Sequence, residues 1–265
     1  MERKDNIKLI LMKLFKVLPL LLLLMLVTYS AKANRLNVKY DSLLYQSYKV
    51  GDMEVWVNVM KLLEDEYESN PRNTITYDLL KVQYGYIGYL IGINDTKNAR
   101  KYLAKAESNT EKLLKAQSNN ADVIAIKAAL VAYNIGLSPY KAPFLGPRSM
   151  SLIDDALAIN PNSTQALIEK ANAAHYAPSM FGGNTEEAVK YYSKALRLME
   201  QNYSGKNPIS WIYLNIYVQL ALAQEKAGQI ANAQRTYVKI ISIAPDFKWV
   251  VEDLYPKFKK KHKLK

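Results

Sequence analysis

Residues 217–245 read YVQLALAQEKAGQIANAQRTYVKIISIAP, and their spacing decides the fold. Tyr217, Leu220 and Leu222 place large apolar side chains on one face of a helix. Gly228 supplies the left-handed conformation that ends that helix, which residues bearing a Cβ resist. Ala233 is small where a second helix must approach closely, and Tyr237, one turn on, fills the adjoining gap on the same face. Pro245 stops the second helix and starts a new unit. The stretch reads as a helical hairpin.

Upstream, Gly183, Ala188, Tyr192 and Ala195 repeat the offsets of Gly228, Ala233, Tyr237 and Ile240. Ala156-Leu157 before Asn160-Pro161 gives the end of a third unit, and Ala99, Leu103 and Ala106 keep the small–large–small rhythm. Gly51, Trp56, Met60 and Leu63 keep the spacing with a bulkier residue at the alanine place. These residues resemble the tetratricopeptide repeat, a W-x2-L-G-x2-Y, A-x3-F, P pattern over about 34 residues. Ala221 and Gln224 depart from it, standing where glycine and tyrosine are usual. The resemblance implies an all-α fold, an α-solenoid of about five hairpins over 35–69, 72–118, 121–161, 163–202 and 207–245. A final helix from Phe247 is expected to cap the stack with a polar outer face.

The first 33 residues stand apart. Basic residues up to Lys16 precede the apolar run Val17 to Val27, and Ala31-Lys32-Ala33 follows as a small-x-small site. That order predicts a signal peptide cut before Asn34, and so export to the periplasm or the exterior. An uncleaved membrane anchor is the alternative. No later segment has the roughly 18 apolar residues of a membrane span. Residues 34–256 are then the repeat domain and 257–265 a lysine-rich tail.

The formal charge of +12 belongs to the ends. Residues 1–33 hold six basic and two acidic side chains and residues 257–265 hold six lysines, which leaves the body at +2. The tail is expected to be solvated or to touch an anionic surface; no motif points to nucleic acid.

The chain has no cysteine and two histidines, His175 and His262. Those are too few parts for a zinc site or a serine–histidine triad. His262 is expected to be solvated in the tail, and His175 to be a packed helix residue. Asp154-Asp155 and Glu186-Glu187 are helix neighbours pointing about 100° apart, so neither pair faces one site. The reading is non-catalytic, with no cofactor or metal.

Two stretches break the pattern: SPYKAPFLGP over 138–147 and APSMFGG over 177–183. Both read as proline-bearing loops inside a hairpin, and equivalent loops of a stack share one edge. Phe144, Met180 and Phe181 would then either seal the hairpin ends or form a partner-binding ridge. The family's groove positions fall on Asn215, Val218 and Leu222, with Glu225 beyond; they do not form the Lys/Asn clamp of some relatives. The expected function is a scaffold holding another, envelope-associated protein. Alternatives are a small-ligand subunit of a solute uptake system, since APSMFGG resembles a feature of such proteins, and glycan capture.

Overall fold

A computed structural model of the chain describes residues 40–203 and 208–264. The expected signal peptide lies outside them. Among the described residues there is no strand, and no helix is long and apolar enough to cross a membrane. Residues 43–265 form one compact unit; of residues 1–42, only 40–42 are described, as helix.

Helices pair in order as α-hairpins. The first joins α1 (40–50) and α2 (Glu54–Ser69); the second joins α3 (Asn73–Gly92) and α4 (Thr96–Ala116). The third joins α5 (Ala121–Leu137) and α6 (Ala142–Ile159), and the fourth α7 (Thr164–Tyr176) and α8 (Thr185–Asn202). The fifth joins α9 (Trp211–Lys226) and α10 (Ile230–Ile243). A π-helical turn (Trp249–Leu254) and α11 (Tyr255–Lys261) follow. The result is an α-solenoid of five hairpins with a terminal helix.

Local chemistry explains the boundaries. Side chains of Asp95, Asn120, Ser163 and Asn184 accept hydrogen bonds from backbone N–H groups at the starts of α4, α5, α7 and α8. Gly51, Asn94, Gly182 and Gly228 take positive φ at the turns of hairpins one, two, four and five. Inside the hairpins Ala99, Ala106, Ala188, Ala195 and Ala233 are fully buried, letting paired helices approach; Tyr192 and Tyr237 fill the adjoining space.

Three expectations need correction. The segment 138–147 is not a loop throughout: Pro139–Lys141 is a 3-10 turn, and α6 already starts at Ala142. Pro143 sits in the first turn, where its missing N–H has no intrahelical partner to lose. Pro147 lies inside the helix and forgoes the bond to the Pro143 carbonyl. Second, the lysine segment is not a free tail through 264. Phe258 is buried against Tyr237, and Lys261 Nζ and His262 Nε2 each lie 2.9 Å from Glu225 Oε1. Third, His262 is thereby partly buried and in hydrogen-bond contact with Glu225 rather than solvated.

The first and last hairpins meet, which no repeat motif announces. Tyr48 OH donates to Asn215 Oδ1 at 3.0 Å, and Lys49 Nζ reaches Asp246 at 2.8 Å. The rings of Trp56 and Trp211 cross edge-on with centroids 4.9 Å apart, and Tyr48 packs on Phe247. Gly85 of α3 makes room for both indoles, since a Cβ there would lie under 3.0 Å from each.

Candidate interaction site

The first helices α3, α5 and α7 pack against one another, and this inner side is filled by their own side chains. Tyr84 of α3 stacks on Tyr133 of α5 and hydrogen-bonds Glu169 of α7. Glu169 also accepts from Gln165 Nε2 at 2.6 Å and Asn172 Nδ2 at 3.0 Å, while Tyr192 OH donates to Asn172 Oδ1 at 2.6 Å. Burial pushes the Glu169 carboxyl up to about 7, against the hydrogen bonds from Asn172, Tyr84 and Gln165 that favour its ionised form.

The positions expected to line a groove fit this closure. Asn215 is held by Tyr48, Val218 is fully buried and offers no surface, and Leu222 is half-buried at the outer end of α9.

The turn edge is different. Phe144 is 81% exposed, Met180 82% and Phe181 50%, so these side chains stand out of their turns rather than seal them. Tyr140 and Tyr176 are exposed beside them, and the sequence reading missed both. The signal was present: each adjoins a proline turn at the end of a helix. Prolines and tight turns fix the backbone under these side chains. In hairpin four, Gly183 N donates to Pro178 O and Asn184 N to Ala174 O, so the loop is folded onto the end of α7. A Cβ on Gly183 would collide with the Ala177 carbonyl oxygen. Gly183 therefore serves close approach, while Gly182 takes the left-handed place that Gly228 holds in hairpin five.

Next to this ridge, His175 is buried, as expected for a packed helix residue. Burial, aided by the charge of Lys226, holds its pKa down to about 4. Burial alone would raise the Glu225 carboxyl, yet the hydrogen bonds from Lys261 and His262 outweigh it and hold the group below its usual range. The paired carboxylates are absorbed elsewhere. Asp154 pairs with Lys170 at 2.7 Å, and Glu186 and Glu187 lie in the first turn of α8, where the helix dipole favours negative charge. Among the described residues, no three His, Asp or Glu side chains are placed to hold a metal.

Residues 214–247 match the tetratricopeptide repeat family. No curated protein matches the chain. Among solved structures, a thermophilic tetratricopeptide repeat protein of Thermus thermophilus is similar in fold. Its TM-score is 0.56 at 16% identity, over 86% of this chain and 100% of that one. HusA, a haemophore of Porphyromonas gingivalis, has a TM-score of 0.54 at 16% identity, over 71% of this chain and 94% of its own. The family match covers the fifth hairpin alone, and the two solved structures share the fold.

Proposed function

We propose that this chain is an exported, non-catalytic scaffold that holds another protein against its turn edge. The exposure of Phe144, Met180 and Phe181 carries this reading. Large apolar side chains gain roughly 25 cal/mol per Å² when a partner removes them from water. Aromatic residues and methionine are enriched at interface cores. The rigid turns beneath them lose little conformational freedom on binding. The groove suits a partner less well, because Asn215 and Val218 are already engaged.

Photo-crosslinking residues placed at positions 144 and 181 in cells should each trap the same protein. A reagent at Val238, an exposed position on the outer helix α10, should not. Absence of any adduct at 144 and 181 would remove the reading. Export rests on the apolar run Val17 to Val27 and on Ala31-Lys32-Ala33. The mature chain should begin at Asn34. A membrane-bound chain beginning at Met1 would make the segment an anchor, and a soluble cytosolic one would end the export proposal.

A second reading, capture of a small molecule, is favoured by a pocket beside the ridge, next to His175. The fold shared with a haemophore makes haem, flat and largely apolar, the first molecule to try. Titration should shift the haem absorbance band at one equivalent; an unchanged spectrum removes haem.

A further inference from the structure

An open pocket of about 320 Å³ lies between the ends of α7, α9 and α11. It is lined by His175, Tyr176, Leu222, Glu225, Lys226 and Lys261. Small-molecule sites begin at about this size.

The charges in the pocket do not cancel. Glu225 is matched by Lys261 at 2.9 Å, and the His262 Nε2 lies equally close to it. Lys226 has no carboxylate partner among the described residues; its Nζ donates to the His175 carbonyl oxygen at 2.6 Å. That bond also holds the ammonium at the end of α7, where free carbonyls favour a cation. One cation is thus fixed and unneutralised beside the pocket.

The remaining walls are aromatic and apolar. Tyr176 is 63% exposed, yet its ring is held in place because its OH donates to Gln219 Oε1 at 2.6 Å. Leu222 supplies an aliphatic surface. His175 is 7% exposed; its ring stands edge-on to Tyr176 and has a buried Nδ1 with no hydrogen-bond partner. A buried unpaired polar atom is costly, so a polar group kept in this state marks a place the packing alone does not explain. A bare inorganic anion would leave the apolar walls unused, and a cationic ligand would meet Lys226.

We infer that this pocket binds a flat aromatic molecule carrying one negative group, with its ring against Tyr176 and Leu222 and its anion on Lys226. The inference rests on the small-molecule reading above. It adjoins the protein-binding ridge at Tyr176 and differs from it in chemistry.

Two fluorescent probes of similar shape separate the possibilities. One is 1-anilinonaphthalene-8-sulfonate, which is anionic; the other is N-phenyl-1-naphthylamine, which is uncharged. The intact chain should bind one sulfonate probe with a blue-shifted emission. Lys226→Met should weaken the sulfonate about tenfold, the scale of one lost ion contact, and leave the amine within about twofold. Leu222→Asn should weaken both probes, and Tyr176→Ser serves the same purpose if that variant fails to fold.

Equal binding of the two probes, unmoved by Lys226→Met, would overturn the anionic class while leaving small-molecule capture standing. Sulfonate binding lost only in Phe144→Ser or Phe181→Ser would place the probe on the ridge and overturn the pocket. Binding of neither probe would overturn the pocket, while the small-molecule reading would then be decided by the haem titration.

Discussion

Tyr84, Tyr133 and Trp211 on the inner face and Tyr140, Phe144 and Phe181 on the turn edge are aromatic to the same degree, yet they end in opposite states. On the inner face each ring meets another ring or a hydrogen-bonding partner from another hairpin. On the turn edge the rings stand in solvent on short, proline-stiffened turns. Aromatic density alone therefore does not mark a binding face. What separates the two is closure: the first hairpin folds onto the last, and the inner aromatic residues become core.

The comparison breaks most severely at Trp211. Truncation to alanine removes the ring that links the fifth hairpin to Trp56, Tyr48 and Tyr84, and should cost about 3–5 kcal/mol in urea denaturation. A loss under about 1 kcal/mol would mean that the closure contributes little.

Glu169 sharpens the inner side. Its folded pKa of about 7 lies above the ordinary 4.5, so between those values the folded state holds the proton more tightly than the unfolded chain. Its favourable contribution is complete below about 4.5 and is lost as pH rises through 7, on the order of 3 kcal/mol in all. His175 acts in the opposite sense. Its folded pKa of about 4 lies below 6.5, so its contribution is present above 6.5 and is lost as pH falls toward 4. The two slopes oppose each other in the wild type. Relative to it, Glu169→Gln should make stability rise more steeply with pH between 5 and 7, as followed by thermal unfolding across pH. A superimposable profile would refute the buried-acid account.

On the turn edge, Gly183→Ala drives a Cβ into the Ala177 carbonyl and should destabilise by roughly 1–3 kcal/mol. Gly146→Ala, in the α6 turn with open space around it, should instead stabilise by about 0.5–1 kcal/mol. Calorimetry that gave both the same sign would break the contrast between the two turns. Smallest of all, Phe144→Ser with Phe181→Ser should change stability by about 0.5 kcal/mol per site, less at Phe144, which is mostly in water, than at the half-exposed Phe181.

The hairpins were legible because their rules are local. Gly228, Ala233, Tyr237 and Pro245 lie within one unit, and each states its own requirement for turn, close approach, filler or stop. The closure was not legible, because Trp56 and Trp211 meet across most of the chain and neither carries a nearby sign of the other. The start of α6 was misread although a cue existed: proline suits the first turn of a helix as well as a loop. The docked C-terminus had a cue too. Val250, Leu254 and Phe258 recur every four residues, an apolar stripe among the lysines. Of the site, the ridge residues were visible in the unusual turns. The pocket was not, because it is assembled from three separate helices.

The most direct measurement compares partner recovery by the wild type, the Phe144→Ser/Phe181→Ser variant and Glu169→Gln, each first shown to be folded by circular dichroism. The account predicts that the ridge variant loses the cross-linked partner while Glu169→Gln retains it. Recovery by the ridge variant at the wild-type level, or loss through Glu169→Gln alone, would contradict it and return the binding face to the inner side of the repeats.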